Sequence, residues 1–575
     1  MKKRLKGLLP VTLIIAMILT GCTAKTSGTA TPTSGATNSS TSANSSTSAN
    51  SSTSTDASAS TQTDGSSAST ATAITTTSTV VVDKEFTAND LEVGYEDSTA
   101  THITLDSSSI NVSGDGAKAS GGVLTISSEG TYVIAGTLSD GQIIVDAGDN
   151  AKVKLIFNGV NITCSNSAPV YIKSANKVFI TLNENTVNTL TDGSNYTQTD
   201  DNNVDAVIFS KADLTINGEG TLNITANYKH GIVSKDDLVF TGGTYNITAV
   251  KDDISGKNSV KIKDGTFTLT SANGKGITSK NADDTTKGYV YISSGTITIT
   301  NSYEGIEGTF IEVDGGTIDI TSQDDGLNAA SASTTTASST SSTDLSSADV
   351  SAVQVTATNA TTDTTTDTTS SAATNGNADQ NGFAKGMDRG GFGGGGGGME
   401  NDTNCFINIT GGSIKINASG DGIDSNGSIV ISGGDIYVSG PTENNNGGLD
   451  YNGAAAITGG TIVVAGSSGM AQGFSDTSTQ YSILYNLTNS VAAGTEVTLK
   501  DADGNVVASF TPEKQYQSVV ISNPDLKNGA TYTLTCGDQT ADITLSSVAT
   551  SGGAQGGMGG FGGGHQGGSR PGNGN

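Results

Sequence analysis

Short turns that combine an acid, a glycine, an aliphatic residue and a second acid or amide recur along this chain. They read EGIEG from Glu304, DDGLN from Asp324, DGID from Asp421 and GGLD ending at Asp450. In the first three turns, oxygen-bearing side chains stand on both sides of the aliphatic residue, while in the fourth Gly447 takes the place of the first acid. Glycine permits the tight bend that turns these side chains the same way. Carboxylate, amide and carbonyl oxygens are the ligands of Ca²⁺ in proteins. The repeated turn therefore predicts a series of calcium sites.

Alignment of the turns on their aliphatic residue gives the full set of candidate ligands. The candidate calcium ligands are Asp252, Asp253, Glu304, Glu307, Asp324, Asp325, Asn328, Asp421, Asp424 and Asp450. If the turns stack, carboxylates of neighbouring turns lie about 4.8 Å apart, and their repulsion is costly unless a cation neutralises it. Asp252 and Asp253 form a separate pair whose neighbours are His230 and Lys275. The alternative is that all these acids are solvated, since Asp and Asn favour turns.

The segments between the acid turns have the pattern of β-strands. Runs such as VKIKDGTFTLTS, YVYISSGTITITN and FINITGGSIKINA alternate β-branched and polar residues around small turns. The unit recurs at intervals of roughly 20 to 30 residues, which indicates a solenoid. We predict an all-β protein, a right-handed parallel β-helix whose inward aliphatic residues stack in columns. A sandwich built of hairpins is the alternative, but it would not keep one turn in phase over so many units.

Composition divides the rest of the chain. Residues 23–82 and 329–403 are rich in Ser and Thr, and residues 549–575 are rich in Gly, so these segments are expected to be disordered. The segment 476–548 has strand-length runs but no repeat, which predicts a small β-sandwich-like cap over the exposed end of the solenoid. The predicted domains are a signal peptide at 1–22, a linker at 23–82, the β-helix at 83–475 with its insertion at 329–403, the cap at 476–548 and a tail at 549–575.

The N-terminus predicts a lipoprotein. Lys2, Lys3, Arg4 and Lys6 precede an apolar run, and Leu-Thr-Gly-Cys ending at Cys22 is typical of a bacterial lipobox. The apolar run is shorter than the roughly 20 residues that a transmembrane helix needs. We therefore expect lipidation of Cys22 and a location on the extracellular face of the cell membrane. The other cysteines are too widely spaced for a zinc site or a disulfide framework.

The charge balance restricts the partners. The chain carries a net charge of −28, whereas binding of nucleic acid requires clustered Lys and Arg. An acidic surface suits cations, or anionic polymers that cations bridge. We expect a monomer that contacts the membrane through its lipid anchor.

Several motifs together resemble one family. GTITITNSYEGIEG, GGTIDITSQDDGLNAA, AGSSGMAQ and DGNVVASFTPEKQYQSVVISNPDL resemble the clostridial-type carbohydrate-binding β-helix lipoproteins, which are similar in fold to calcium-dependent pectate lyases. The resemblance spans about residues 131–545, although the 329–403 insertion departs from it. It implies calcium in the acid turns, a carbohydrate-binding role for the β-helix domain, and binding without cleavage of plant cell-wall polysaccharides such as cellulose and polygalacturonate.

Two other functions stay open at this stage. A calcium-dependent polysaccharide lyase would need a base, and Lys275, followed by Lys251, is the candidate for it. A structural adhesin would use calcium only to stiffen the solenoid. For a binding protein, Tyr303 and Tyr451 are the predicted sugar contacts and Tyr437 a further one, although tyrosines in such strands also serve as cross-strand packing pairs.

Overall fold

The computed structural model describes residues 78–332 and 400–554, which belong to one compact unit, Ser69–Asn575. The predicted signal peptide with Cys22, most of the predicted linker, and most of the 329–403 insertion and of the Gly-rich tail lie outside these residues. The described residues include an α-helix, Ala88–Leu91, and a 3₁₀-helix, Asp97–Thr99. None of the helices in the described part is long and apolar enough to cross a membrane.

The β-strands wind into coils that build three parallel sheets, here named A, B and C. A representative coil places Thr296–Asn301 in sheet C, Ile306–Gly308 in sheet A and Phe310–Val313 in sheet B. Each strand pairs in parallel with its counterpart in the next coil. The parallel β-helix predicted from the sequence is confirmed, because alternating apolar residues can form strands in every coil and bury one face of each.

The bounds of the strands follow the three sheets. Sheet A contains Val123–Ile126, the first parts of Gln142–Cys164 and Val170–Leu182, Ala206–Ser210, His230–Ser234, Ile254–Gly256, Ile277–Ser279, Ile306–Gly308, Leu327–Ala329, Ile423–Ser425 and Leu449–Tyr451. Sheet B contains Gly130–Leu138, the middle of Gln142–Cys164, the last part of Val170–Leu182, Asp213–Gly218, Asp237–Phe240, Ser259–Ile262, Tyr289–Ile292, Phe310–Val313, Phe406–Ile409, Ser428–Ile431 and Ala455–Ile457. Sheet C contains the end of Gln142–Cys164, Val187–Asp192, Thr221–Ala226, Thr244–Ala249, Thr266–Ser271, Thr296–Asn301, Thr317–Ser322, Ser413–Ala418, Asp435–Ser439 and Thr461–Gly466.

The first coil is closed by antiparallel pairing. Thr101–Ser107 pairs in parallel with Gly130–Leu138 and antiparallel with Ser109–Ser113. Ala117–Ser120 pairs antiparallel with Val123–Ile126. These hairpins pair with one edge of the solenoid, which would otherwise expose a row of unpaired backbone groups.

The core runs along the axis of the solenoid as columns of aliphatic side chains. One column on sheet A consists of Ile254, Ile277, Ile306, Leu327, Ile423 and Leu449, all of them buried and in register. Burial of each such side chain contributes about 1.5–3 kcal/mol. The glycine that precedes Leu327 is required because atoms of the next coil lie close to it. A Cβ on Gly326 would lie 2.4 Å from Cγ2 of Ile416 and 2.5 Å from the Gly422 carbonyl oxygen.

Residues 78–92 cross the outer surface of sheet B, and we call them the N-terminal strap. Val80 is buried among aromatic residues that sheet B presents outward, with Phe86 packed beside them. These aromatic residues are Tyr289, Tyr291, Phe310 and Phe406. Residues 78–82 belong to the segment predicted as linker, and their apolar residues Val80 and Val82 pack on this aromatic surface.

A buried carboxylate holds the far end of the strap. Asp90 accepts a hydrogen bond of 2.6 Å from Thr215 Oγ1 and forms a 2.8 Å ion pair with Lys177. Asn217 donates to the Asp90 carbonyl at 3.0 Å. Burial opposes ionisation of Asp90, but Lys177, Thr215 and Thr87 hold the pKa of its carboxyl below the usual range. The strap is thereby fastened to sheet B by charged and apolar contacts alike.

The C-terminal segment forms the sandwich-like cap that the sequence predicts. Tyr516–Ser522 pairs antiparallel with Thr461–Gly466 of sheet C and with Ser482–Val491, which pairs in parallel with Ala549–Gly553. The strands of the facing antiparallel sheet are, in spatial order, Val506–Phe510, Val497–Lys500, Thr531–Cys536 and Gln539–Thr544. A separate apolar core joins the two layers, with Ile483, Val497, Val519 and Leu534 at its centre.

Candidate metal centre

The acid turns stack in register where the chain passes from sheet C into sheet A. One column of sheet A runs through Thr278, Glu307, Asn328, Asp424 and Asp450. A second set of acids precedes the strands at the turn itself. Together these residues form what we call the acid ladder: Glu304, Glu307, Asp324, Asp325, Asn328, Asp421, Asp424 and Asp450.

Two groups of three carboxylates converge within the ladder. Ligand oxygens of Glu304, Asp324 and Asp325 lie within 4.8 Å of one another. The same holds for Asp421, Asp424 and Asp450. The first group spans two neighbouring coils and the second spans the next two, so the ladder offers two oxygen-lined positions along the solenoid.

Burial and mutual repulsion make these carboxyls hard to ionise. Burial, followed by the charges of neighbouring acids, raises the pKa of Asp424 to about 8 and that of Glu304 to about 7. Burial raises the pKa of Asp325 to about 8 and that of Asp421 to about 6, although backbone N–H donors oppose both shifts. Burial likewise raises the pKa of Asp450. A divalent cation would remove the repulsion that contributes to these shifts.

Two further features of the ladder fit a cation. The Asn328 side chain donates to Glu304 and Asp325 at 3.3 and 3.2 Å, while its Oδ1 atom is buried without a hydrogen-bond partner. At Gly420, a Cβ would lie 2.3 Å from Asp324 Oδ1 and 2.6 Å from Asp325 Oδ1. Glycine thus leaves the space in which these two carboxylates converge. The donors are all oxygens, the set that Ca²⁺ prefers.

Lysines neutralise the ladder at one end only. Glu307 is paired with Lys280, lies 3.4 Å from Lys275 Nζ, and accepts a 3.0 Å hydrogen bond from Thr278. Glu304 lies 3.9 Å from Lys275 Nζ. Within the described residues, no lysine forms an ion pair with Asp324, Asp325, Asp421, Asp424 or Asp450. The unneutralised part of the ladder is therefore the part where the two acid groups meet.

Lys275, the candidate lyase base, lies among the acids at one end of the ladder. Burial alone would lower its pKa, but Glu307, Glu304 and Asp252 raise the pKa of the ammonium above its usual value. Lys251 is exposed. These ion pairs favour the charged ammonium of Lys275 when no metal is bound, whereas a cation in the ladder would disfavour it.

The carboxylates of Asp252 and Asp253 have different surroundings. Asp252 lies 3.2 Å from His230 Nδ1 and accepts a 2.9 Å hydrogen bond from the Lys275 backbone N–H. Asp253 is 0% exposed, and both of its carboxyl oxygens lack a hydrogen-bond partner. In other coils a glycine, such as Gly231, stands at the position of Asp253. A Cβ at that position points toward the core. Burial and the charge of Asp252 raise the pKa of Asp253 to about 9.

The two tyrosines predicted as sugar contacts differ in their surroundings. Tyr303 is 46% exposed at the edge of the ladder, where the neighbouring Asp324 raises the pKa of its phenol. Tyr451 packs partly buried against the core and donates a 2.5 Å hydrogen bond to the Gly473 carbonyl. Tyr437 stacks against Phe510 of the cap at 5.4 Å. Only Tyr303 of these three presents a largely open ring.

A third group of acids was not singled out from the sequence. Asp213, Asp236 and Asp237 place carboxylate oxygens within 4.8 Å of one another where sheet A turns into sheet B. Protein donors already serve this group: Asn258 donates to Asp236, and Ser259 donates to Asp237 at 2.6 Å. The repeated KADL and KDDL segments were the signal in the sequence.

A desolvated lysine near the acid turns was also missed. Lys514 reaches from the cap to the Ala418 carbonyl and to Ser419 Oγ at 3.4 Å. Burial lowers the pKa of its ammonium to about 8. No repeat marks this residue, because the cap folds back onto the solenoid from a distant part of the chain.

The fold and the acid ladder define a parallel β-helix with cation-compatible turns, and comparisons with known proteins show what it is similar to. Residues 120–384 match the family model described as "Carbohydrate-binding domain-containing protein". A protein of that description from Acetivibrio thermocellus is 41% identical over 150 residues, or 26% of this chain and 52% of the relative. The match thus spans about half the length of that relative.

A solved structure also matches part of the chain. It is described as a polysaccharide lyase-like protein from C. thermocellum, in a gadolinium derivative. The match has 37% sequence identity and a TM-score of 0.36, and covers 40% of this chain and 90% of the other.

Proposed function

We propose that this protein is a calcium-binding, non-catalytic polysaccharide-binding lipoprotein of the cell surface. The observation that carries the proposal is the unneutralised part of the acid ladder, where half-buried carboxylates of successive coils converge without a paired lysine. The match of residues 120–384 to a carbohydrate-binding family model supports the polysaccharide as ligand class. Lipidation of Cys22 would hold the protein on the extracellular face of the membrane.

Two calcium ions would fit the ladder. Asp421, Asp424 and Asp450 would hold one ion, and Glu304, Asp324 and Asp325 would hold the other. The buried Oδ1 of Asn328 faces no protein donor and would complete the oxygen set. When bound, the ions would stiffen the turns and supply positive charge at the surface of an acidic protein.

The ligands we propose are plant cell-wall polymers, cellulose and polygalacturonate. A chain with a net charge of −28 repels a polyuronate unless cations lie between them. Calcium in the ladder would carry out this bridging, and the exposed ring of Tyr303 at its edge could stack on a sugar.

The alternative is a calcium-dependent polysaccharide lyase, and one observation favours it. The lowered pKa of Lys514, about 8, is suited to proton abstraction. Lys275, the base that the sequence suggested, is ion-paired with Glu304 and Glu307 when no metal is bound, so its use as a base would require calcium. A structural adhesin would keep the calcium ladder but bind no polysaccharide.

One experiment separates these functions. The soluble chain from Thr23 onward is incubated with insoluble cellulose and with polygalacturonate, each in calcium and in chelator, while ultraviolet absorbance reports unsaturated uronate. Retention on polygalacturonate that depends on calcium, without growth of absorbance, is the expected result. Growth of absorbance that Lys514→Ala abolishes would establish a lyase instead. Absence of retention on both polymers would leave the adhesin.

A further inference from the structure

The outer surface of sheet C is an array of threonines. In successive strands from Val187–Asp192 to Thr317–Ser322, the outward positions form two columns in continuous register and a third column whose register shifts after Leu269, where Thr270 pairs with Asn301. We call this surface the threonine face. Its members are Val187, Thr189 and Thr191; Thr221, Asn223 and Thr225; Thr244, Asn246 and Thr248; Thr266, Thr268 and Thr270; Thr296, Thr298 and Thr300; and Thr317, Asp319 and Thr321.

Side-chain hydrogen bonds link the columns from coil to coil. Side chains of neighbouring coils bond directly to each other, as Asn246 does to Asn223 at 2.9 Å and Thr270 to Thr300 at 2.7 Å. Parallel strands place equivalent side chains about 4.8 Å apart along the axis. Threonine is β-branched and has few χ1 rotamers, so the hydroxyl and methyl groups are already ordered before any ligand binds.

Within the part of the chain that the structure describes, this face is uncovered while sheet B is not. The N-terminal strap lies across sheet B, where Lys261 pairs with Asp83 at 2.7 Å. The cap bounds the threonine face at its C-terminal end, where Glu513 bonds to Asn417 at 2.8 Å and pairs with Lys415. The open surface thus extends from Val187 to Thr321 and ends against the cap.

The charge of the threonine face differs from that of the whole protein. The chain has a net charge of −28, yet Asp319 is the one charged residue among the members of this face, and it lies in the strand nearest the cap. A surface of hydroxyl, amide and methyl groups has nothing to neutralise an ionic polymer. It matches a ligand that is itself uncharged, flat and rich in hydroxyl groups.

We infer that the threonine face is a docking surface for an uncharged, extended polysaccharide such as a β-linked glucan. The inference rests on the proposed polysaccharide-binding function and divides it between two surfaces. The acid ladder takes polyuronate through calcium, and the threonine face takes neutral glucan without a metal. Each hydroxyl contributes little by itself, but a rigid polymer surface engages many at once, and contacts that bind together gain through effective concentration.

The test alters two exposed threonines at the centre of the face. Thr248→Arg with Thr268→Arg raises bulky, charged side chains above the flat surface, and both positions are exposed. Thr248→Val with Thr268→Val keeps the shape and removes only the hydroxyls. The matched control is Thr531→Arg with Thr540→Arg on the cap sheet, where both threonines are also exposed. Retention on insoluble cellulose in chelator and retention on polygalacturonate in calcium are measured for each.

The expected result is that wild type binds cellulose in chelator and the arginine variant binds it roughly tenfold or more weakly, because the polymer is lifted off the surface. The valine variant shows a smaller loss, the cap control none, and calcium-dependent retention on polygalacturonate is unchanged. Equal binding of cellulose by all variants would overturn the threonine face and leave the proposed function standing. A wild type that binds polygalacturonate but not cellulose would likewise overturn the threonine face and leave the proposed function standing. A wild type that binds neither polymer would refute both.

Discussion

Asn328 and Asp424 occupy the same register position in neighbouring strands of sheet A, and the Asn328 Oδ1 atom is buried there without a hydrogen-bond partner. An amide oxygen next to a buried carboxylate has no protein donor to satisfy it in the described residues. An oxygen in such a position costs free energy unless a cation or water completes it. The pair therefore lies at a point of the ladder where the proposed calcium ion would satisfy an otherwise unpartnered oxygen.

Replacement of Asp424 tests the ladder directly. Asp424→Asn removes one negative charge and one ionised ligand, and we expect calcium affinity at its site to fall roughly tenfold or more, because affinity follows the number of charged ligands. Calorimetric titration with calcium measures the change. The control Asp435→Asn alters an exposed acid of the next coil, outside the ladder. Equal calcium binding by both variants would contradict the assignment.

The metal-free protein should lose stability as pH rises. Without a metal, burial and neighbouring acids raise the pKa of Asp325 and Asp424 to about 8. The native state therefore holds more protons than the unfolded chain between about pH 4 and that value, and the free energy of unfolding falls across this window. Saturating calcium should remove the fall, since it stabilises the ionised carboxylates.

Thermal unfolding in chelator and in calcium, at about pH 5 and about pH 8, measures this linkage. Calcium at a hundred times its Kd adds about 2.7 kcal/mol per site to the free energy of unfolding. This stabilisation should be larger at the higher pH. A calcium-induced shift in Tm that is the same at both values would show that the ladder carboxylates do not titrate with the metal.

Asp253 should behave as a destabilising residue. Its carboxyl is buried without a partner and its pKa is raised to about 9, so the unfolded chain releases a proton that the native state retains at neutral pH. Asp253→Asn should raise the free energy of unfolding at about pH 8 by about 1–3 kcal/mol and have little effect near pH 4. Urea unfolding at both values measures it. If the variant instead loses calcium-dependent stabilisation, Asp253 is the ligand that the sequence suggested.

Lys275 should stabilise the fold, and its replacement should not change whether a polymer is cleaved. Lys275→Met removes a cation that lies 3.4 Å from Glu307 and 3.9 Å from Glu304, and should lower the free energy of unfolding in chelator by about 1–3 kcal/mol. The double variant with Glu307→Gln should recover part of the loss, because both charges are then gone. No recovery in the double-mutant cycle would show that the ion pair is not the cause.

The strap should depend on Asp90. Asp90→Ala leaves Lys177 and Thr215 without their buried acceptor, and we expect a loss of about 3 kcal/mol in the free energy of unfolding. Amide hydrogen exchange should increase in residues 78–92 and in the sheet B strand Asp213–Gly218. Unchanged exchange in both segments would show that the strap does not rely on this carboxylate. The exposed Asp97 provides the control Asp97→Ala.

The sequence alone determined the repeating unit of this protein. Period-two strands, glycine before an inward aliphatic residue and acids on either side of it specify a coil that must stack on its neighbours, because one coil cannot bury its apolar face by itself. The same pattern placed Glu304, Asp325, Asn328, Asp424 and Asp450 near one another, since equal spacing along the chain becomes vertical alignment in a solenoid. The sandwich-like cap followed from the loss of the repeat.

Only the tertiary structure decided which acids remain unneutralised and which surface stays open. Lys275 and Lys280 occupy the Glu307 end of the ladder and Asp253 points into the core. Among the described residues, the strap covers sheet B while the threonine face of sheet C stays open. Each of these outcomes depends on contacts between residues far apart along the chain, or on the side of a strand to which one residue points. A repeat fixes the spacing of side chains, whereas their charge partners and their solvent exposure depend on what packs against them.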